Sequence, residues 1–154
     1  MRFDLPTPDN DTAPFWDAAK DGRFLLRRCL DCNATYFYPR PFCPKCWSER
    51  VDWVEASGRA VVYTYSVVVV NDLPPFNERV PYIAAVVDLE EGPRVMTNVV
   101  DCDLDVVRVG MPVEVTFRPL NDDITIPVFK PAVLAGTGSS AEAPGAASGQ
   151  RDAG

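Results

Sequence analysis

Cysteines are the residues of this chain best suited to chemistry, and four of the five form two C-x-x-C pairs separated by ten residues. Each pair can turn two thiolates toward one point, and two pairs can place four sulfurs at the corners of a tetrahedron, as zinc prefers. The spacing therefore predicts a structural zinc ribbon with the ligands Cys29, Cys32, Cys43 and Cys46. Rubredoxin-like iron fits the same spacing. A redox dithiol is disfavoured because no βαβ pattern surrounds the pairs.

The same residue types argue against catalysis by this chain alone. Four thiolates leave no open coordination position for a substrate or a water molecule. The chain has no histidine, which removes Ser-His-Asp triads and Cys-His nucleophile pairs. No Gly-rich nucleotide motif or G-x-S-x-G pattern occurs. Cys102 stands alone between two aspartates and is interpreted as a small buried or half-buried residue.

The two cysteine knuckles differ at the position after their second cysteine. Zinc knuckles often carry glycine there, where the backbone needs a positive φ, but this chain has Asn33 and Trp47. Asparagine tolerates that conformation and tryptophan does so poorly. We therefore expect the second knuckle to be shaped differently from the first.

The elements before the cysteines are an expected extended arm at 1–10 and a short helix at 11–22. Asp11 or Thr12 can cap this helix, and Gly22 stands where a helix often ends. An apolar face is predicted along it at helical spacing, formed by Phe15, Trp16 and Ala19. Because so short a helix is marginal alone, this face either packs on its own domain or docks on a partner.

After residue 50 the sequence changes to segments rich in β-branched residues between Gly and Pro turns. Strands are predicted at 58–70, 82–89, 94–100, 112–118 and 124–133. Five strands, the first long enough to serve two sheets, predict an OB-fold barrel, with an SH3-like barrel or a small sandwich as alternatives. The connector at 101–110 is too short for the usual helix, and Pro127 predicts an edge position or a bulge.

The predicted fold class is mainly β, with an N-terminal helix, a rubredoxin-like zinc ribbon, a five-stranded OB-fold barrel and a disordered C-terminal tail. The expected boundaries are 1–22 for the arm and helix, 23–50 for the ribbon, 51–134 for the barrel and 135–154 for the tail. The tail is rich in Gly, Ala, Ser and Pro. No apolar run suits a membrane span, and no apolar signal segment is present, so a cytoplasmic location is expected.

Charge separates the two halves of the chain. The net charge is −7, and residues 51–134 carry 6 basic against 13 acidic side chains. Ribbons and OB-folds both serve as nucleic-acid-binding modules, and Tyr63 and Tyr65 alternate along a strand where rings could stack on bases. The acidic excess opposes that function and favours packing of both rings within the barrel or an interface.

The order of these parts resembles the zinc-ribbon plus OB-fold acyl-CoA-associated family, long known as a domain of unknown function, over residues 12–134. The resemblance rests on the consecutive motifs RFLLRRCLDC, YPRPFCPKC, GRAVVYTYSVVVV, VPYIAAVVDLEEGPRV, VRVGMPVEVTF and PVFKPA. It implies a hetero-oligomer with a thiolase-fold, lipid-transfer-protein-type subunit that carries the catalytic residues. This chain would stabilise the complex and help to form its acyl-CoA channel. The implied reaction is retro-aldol cleavage in steroid side-chain degradation, with an acyltransferase or thiolase complex as alternative.

Two sets of residues are expected to serve such a complex. Aromatic side chains often dominate protein interfaces, and the expected contacts are Phe15, Trp16, Tyr36, Tyr38 and Phe42. Guanidinium groups suit the phosphates of CoA, and the expected contacts are Arg23, Arg27, Arg28 and Arg40.

Overall fold

Residues 5–132 are described by the structure, which is a computed structural model. The helix α1 spans Ala13–Lys20, and the strands are β1 (Leu25–Cys29), β2 (Thr35–Tyr36), β3 (Val51–Glu55), β4 (Arg59–Val68), β5 (Tyr82–Leu89), β6 (Arg94–Val99), β7 (Pro112–Pro119) and β8 (Thr125–Pro131). A 3-10 helical turn covers Phe76–Glu78. No helix within this range has the length and apolar character needed to cross a membrane. The tail predicted at 135–154 lies outside the described residues.

The ribbon is a three-stranded antiparallel sheet in the order β2-β1-β3. Strand β1 pairs with β3 along its whole length, from Leu25 opposite Glu55 to Cys29 opposite Val51. The predicted boundary between residues 50 and 51 falls inside this sheet, so the ribbon extends to Glu55. The sequence concealed this because β3 is followed at once by the β-rich segment of the barrel.

The second unit is a closed barrel with the strand order β4-β5-β6-β8-β7, in which β7 pairs back with β4. Only β6 and β8 run parallel, and their ladder is a single pair, Val99 opposite Phe129. This is the predicted five-stranded OB-fold. Pro127 pairs with Phe117 of β7 and lies outside the short β6–β8 ladder. Pro127 therefore has a paired strand on one side only, as a residue of an edge strand does. Its missing N–H removes no hydrogen bond between strands on the open side.

Strand β4 enters the barrel at Gly58 and is irregular near its middle. Gly58 has φ of 77°, and a Cβ placed on it would lie 2.5 Å from Val115 Cγ1. A register shift between Val62 and Thr64 inserts one extra residue opposite β5. The shift changes which residues face inward, because side chains alternate along a strand.

The connector between β6 and β7 contains no helix, as predicted. Val107 from this connector is completely buried in the barrel core. Val107, together with the partly buried Cys102, thus covers the core from the connector that usually carries a helix in an OB-fold.

The start of α1 is capped by a residue that the sequence analysis did not select. Thr12 occupies the N-cap position without a capping side-chain bond. The Asp9 carboxylate instead accepts hydrogen bonds from the backbone N–H of Asp11 and Thr12 at 3.1 and 2.9 Å. The helix ends at Lys20, and Gly22 follows it in the left-handed conformation, with φ of 73°. This turn lets the N–H of Arg23 reach the carbonyl of Ala18 at 2.8 Å, so the glycine stops the helix as predicted.

Helix, ribbon and barrel share one core. Phe24, directly before β1, makes aromatic contacts with Phe15 of α1, Phe37 after β2 and Phe129 of β8, with ring centroids 5.9–6.2 Å apart. Leu25 and Leu26 of the ribbon also belong to the barrel cluster. The apolar face of α1 therefore packs on its own chain, which was one of the two predicted alternatives.

Candidate zinc centre and aromatic loop

The four predicted ligands come together at the tip of the ribbon. Their Sγ atoms all lie within 4.8 Å of one another. The Cys29–Cys46 and Cys32–Cys43 sulfur distances are 3.5 and 3.6 Å. A tetrahedral zinc with Zn–S bonds near 2.3 Å requires sulfurs about 3.8 Å apart. The four thiols therefore fit a zinc ion, and no other cluster of metal-ligating groups occurs among residues 5–132.

Backbone N–H groups prepare these sulfurs to bind a cation. The N–H of Cys32 donates to Cys29 Sγ at 3.5 Å, and the N–H of Lys45 donates to Cys43 Sγ at 3.4 Å. The bond from Cys32 is the main cause that lowers the pKa of Cys29 to about 6. Because the thiolate is the metal ligand, these bonds favour the ligand form of Cys29 and Cys43. At Cys46 the N–H of Ser48 acts in the same direction, but the neighbouring thiols outweigh it and raise the pKa of that cysteine to about 12.

The two knuckles have the same backbone shape, so the expected difference between them is wrong. Asn33 and Trp47 have φ of 61° and 64°. Their N–H groups donate to the carbonyls of Cys29 and Cys43 at 3.0 and 2.9 Å. The hydrogen bond and the converging thiols fix the turn, and tryptophan adopts the left-handed conformation despite its side chain.

The segment between the knuckles, residues 37–42, is held by Tyr36. The Tyr36 hydroxyl donates to the carbonyls of Phe42 and Arg40 at 3.1 and 3.3 Å. Its ring packs with Cys29 and Cys43 in a small core that belongs to the ribbon alone. The buried ring and the hydroxyl of Tyr36 therefore hold this loop in place.

The predicted interface residues divide into buried and accessible ones. Phe15 and Tyr36 are 4% and 7% exposed, so the prediction that they contact a partner is wrong, because both rings are used within this chain. Trp16 is half-buried against the shared core. Tyr38 is 55% exposed, and Phe42 is half-buried.

One accessible aromatic residue was missed as an interface candidate. Trp47 is 72% exposed and stacks on Phe42, with ring centroids 5.4 Å apart and an interplanar angle of 19°. Trp47 was considered above only for its backbone conformation, as the residue after a ligand cysteine. The property that indicates an interface is its large apolar ring, which lies at the ribbon tip where the small core cannot bury it.

The predicted CoA-contacting arginines are not gathered at one point. Arg27 and Arg28 are consecutive in β1 and therefore point to opposite faces of the sheet. The Arg27 guanidinium lies 4.5 Å from the centre of the Trp53 ring. Arg28 Nε donates to Asn33 Oδ1 at 2.8 Å.

The other two members of that set are also separated. Arg23 lies between the carboxylates of Asp21 and Glu55 at 3.9 and 3.8 Å. Arg40 is exposed in the loop above the zinc centre. A single phosphate group cannot meet all four guanidiniums in this arrangement.

The two tyrosines of β4 do not form a platform for bases. Tyr63 lies on the outside by alternation after the buried Val62, and the register shift then turns Tyr65 toward the barrel core. The outer face of Tyr63 is covered by the Arg94 guanidinium, 3.4 Å from the ring centre. Arg94 also donates to both oxygens of Asp88 and lowers the pKa of that carboxyl.

A half-open cleft of about 860 Å³ lies beside the short β6–β8 ladder. Its lining is mixed, with apolar side chains from β5, β6 and β8, the two arginines Arg79 and Arg118 and the carboxylate of Asp101. Representative lining residues are Ile83, Met96, Val99, Ile126, Arg79 and Arg118. The cleft lies where β6 and β8 are joined by only one residue pair.

Comparison with protein-family models finds two adjacent matches. A model described as "ChsH2, rubredoxin-like zinc ribbon domain" matches residues 16–52, and one described as "ChsH2, C-terminal OB-fold domain" matches residues 53–118. The ribbon match and the four converging thiols confirm the prediction of a structural zinc site. The matches also confirm the predicted order of ribbon and OB-fold.

Curated relatives fall into two length classes. A probable enoyl-CoA hydratase alpha subunit of Thermomonospora curvata is 39% identical over 128 residues, which are 83% of this chain but only 40% of that relative. A DUF35 domain-containing scaffold protein of Methanocaldococcus jannaschii is 41% identical and aligns over 70% of this chain and 77% of its own length. The benzoylsuccinyl-CoA thiolase subunit BbsA of Geobacter metallireducens is 33% identical, with 67% and 69% covered.

Among solved structures, the chain is similar to one chain of an assembly described as "Ltp2-ChsH2(DUF35) aldolase". The TM-score is 0.74 and the identity 39%, and the alignment covers 84% of this chain and 100% of that chain. The similarity therefore extends through the ribbon and the barrel together.

Proposed function

The chain belongs to the family of ChsH2-type zinc-ribbon and OB-fold proteins that includes the DUF35 scaffold proteins, and on that basis we propose that it is a non-catalytic accessory subunit. Its partner is a thiolase-fold subunit of the lipid-transfer-protein type that acts on acyl-CoA thioesters. The chain stabilises the hetero-oligomer and helps to form the acyl-CoA channel.

The observation that carries this proposal is the match of 84% of this chain to the whole length of one chain of an aldolase assembly. The chemistry of the described residues supports it from a second direction. Their metal-ligating cluster consists of four thiolates, which leave no position for a substrate. The whole sequence lacks histidine, the commonest general base.

The reaction proposed for the complex is retro-aldol cleavage in steroid side-chain degradation. The aldolase assembly supports cleavage of a carbon–carbon bond. The relative BbsA is described as a thiolase subunit, and it favours acyl transfer as the alternative. Both reactions act on thioesters in a thiolase-type partner, so they share the same role for this chain.

Rigidity suits the chain to this role. The shared Phe15–Phe24–Phe129 core holds helix, ribbon and barrel in one arrangement. A partner that binds both the ribbon and the barrel would therefore meet two surfaces of fixed separation. The cleft beside β6 and β8 is the concave surface best suited to line a channel, because its walls are largely apolar and carry a few polar groups, those of Arg79, Arg118 and Asp101.

Co-expression with each thiolase-fold protein of the source organism tests the proposal. One pairing should yield a stable complex on size exclusion that turns over acyl-CoA substrates, while the isolated chain shows no turnover. A panel of β-hydroxyacyl-CoA and β-ketoacyl-CoA substrates separates retro-aldol cleavage from thiolysis. A chain that stays unbound beside every such protein would refute the accessory role.

A further inference from the structure

Two exposed aromatic residues of the ribbon have a backbone conformation that aromatic residues rarely adopt. Trp47 and Tyr38 have φ of 64° and 65°. They are 72% and 55% exposed. A positive φ brings Cβ against the backbone of bulky residues, and glycine would avoid this cost. Both residues therefore destabilise the local backbone without burying their rings in return.

The residue types at the other positive-φ positions emphasise this contrast. Among residues 5–132, the remaining non-glycine cases are Asn33 and Asp101. Asparagine and aspartate tolerate this region because their short side chains bond to the local backbone. Trp47 contacts Phe42 and Tyr38 contacts Phe37, but both rings stay largely exposed. Strained residues whose side chains remain exposed are found at functional sites.

The ring of Trp47 is held in a fixed position. Its N–H donates to the carbonyl of Cys43, a zinc ligand, at 2.9 Å. Its indole stacks on Phe42, whose carbonyl in turn accepts the Tyr36 hydroxyl at 3.1 Å. A ring fixed before binding loses little side-chain entropy on association, which is what makes aromatic anchors strong.

We propose that Trp47, supported by Phe42 and accompanied by Tyr38, is the anchor through which this chain docks on its thiolase-fold partner. The inference rests on the proposed function and adds a surface to it. The matching surface of the partner is an apolar pocket that accepts the indole and carries acidic residues at its rim.

The positive charge of the ribbon favours the thiolase-fold subunit over a second copy of this chain as the protein that binds Trp47. Residues 23–50 carry six Arg or Lys against two Asp or Glu. A two-fold contact through the ribbon tip would bring these like charges together, whereas an acidic rim on another protein would complement them.

The same residues disfavour nucleic acid as the occupant. Arg50 pairs with Asp31 at 2.6 Å, and Arg28 donates to Asn33. One face of the Trp47 ring is already covered by Phe42. Arg40 and Lys45 remain as exposed cations of this segment, which suits a few acidic residues at the rim of a protein pocket better than the series of phosphates along a nucleic acid. The free face and edge of the indole suit insertion into such a pocket.

The test compares glycine variants of the two knuckles in the full chain. Trp47→Gly removes the ring and relieves the backbone, so affinity for the thiolase-fold subunit should fall by about 30-fold or more. The melting temperature and zinc content of the free chain should stay unchanged or rise. Asn33→Gly puts glycine at the matching position of the first knuckle and should bind within about 2-fold of the original chain.

Tyr38→Gly provides a second variant whose folding does not depend on the knuckle, and it should weaken binding by about 10-fold. Calorimetric titration with each purified thiolase-fold protein of the source organism gives these affinities. Undiminished binding by both variants would overturn the anchor and leave the accessory role standing. Equal losses of affinity, zinc and melting temperature in Trp47→Gly would make Trp47 a structural residue, which also overturns it.

Three further outcomes contradict the inference. If the original chain binds no thiolase-fold protein, the proposed function and the anchor fail together. Concentration-dependent dimerisation that Trp47→Gly abolishes would assign the surface to a second copy. A salt-dependent shift with a single-stranded oligonucleotide that Trp47→Gly abolishes would assign it to nucleic acid.

Discussion

The ribbon and the barrel are stabilised in different ways. The core that belongs to the ribbon alone consists of Cys29, Tyr36 and Cys43, two of which are metal ligands. The barrel core is a large apolar cluster that includes Val62, Ile83 and other fully buried side chains. Coordination therefore fixes the shape of the ribbon tip, whereas apolar burial fixes the barrel.

This difference explains where the accessible aromatic rings lie. The barrel also exposes apolar side chains such as Met96, but its exposed aromatic ring, Tyr63, is covered on one face by the Arg94 guanidinium. In the ribbon tip, the metal replaces the core, so rings such as Trp47 and Tyr38 can remain at the surface without loss of the fold. A chelated module is therefore well suited to present apolar groups to another protein.

Metal removal should give the largest effect and separate the two regions most clearly. Structural zinc sites contribute on the order of 10 kcal/mol of binding free energy, which is folding free energy for the ribbon tip. Chelation or Cys43→Ser should abolish amide-exchange protection over residues 30–50. The amides of β4–β8 should keep most of their protection, measured by hydrogen exchange with mass spectrometry.

Cys102→Ser is the matched control for this experiment, because Cys102 is a half-buried thiol away from the zinc centre. It should leave the zinc content and the exchange pattern unchanged. Loss of protection in ribbon and barrel at the same chelator concentration would show that the two regions unfold as one unit, contrary to the comparison.

Phe24→Ala tests the junction between the two regions. Phe24 is 2% exposed and contacts Phe15, Phe37 and Phe129. Removal of a buried phenyl ring should lower the free energy of unfolding by about 3–5 kcal/mol. Because the ring links ribbon to barrel, thermal unfolding by calorimetry should also change from one transition toward two.

Leu30→Ala provides the control for that substitution. Leu30 is 56% exposed between two zinc ligands, so its truncation should change stability by no more than about 0.5 kcal/mol. If Phe24→Ala keeps a single sharp transition, the coupling between the regions must come from contacts other than this aromatic junction.

The local patterns of this sequence predicted the elements well. Cysteine spacing located the zinc centre, since two C-x-x-C knuckles leave little geometric freedom. The strand at residues 82–89 was predicted with both ends correct, because alternation and flanking turns bound it clearly. The OB-fold was predicted from five strands, the first of them long enough to serve two sheets.

Long-range features were harder to predict. The pairing of Val51–Glu55 with β1 depends on a partner more than twenty residues away in the sequence. The burial of Phe15 and Tyr36 depends on which ring reaches a core, and their residue type does not reveal this. The shape of the second knuckle was predicted wrongly because intrinsic preference at Trp47 is overridden by its surroundings.

The smallest predicted effect concerns Gly58, where the chain passes from the ribbon into the barrel. Alanine there should lower the free energy of unfolding by roughly 1–2 kcal/mol through its positive φ. The clash with Val115 Cγ1 at 2.5 Å should add about 1–3 kcal/mol. Gly110→Ala is the control, because Gly110 also has a positive φ, 83°, but a Cβ there meets nothing within 4 Å.

The location of this loss is as informative as its size. Gly58 accepts the N–H of Val115 at 2.8 Å, so the clash disturbs the seam between β4 and β7. Urea unfolding should show Gly58→Ala less stable than Gly110→Ala, while both retain stoichiometric zinc. Loss of zinc in Gly58→Ala would mean that the ribbon tip needs an intact barrel seam. The zinc centre would then not fix the shape of the ribbon independently of the barrel core.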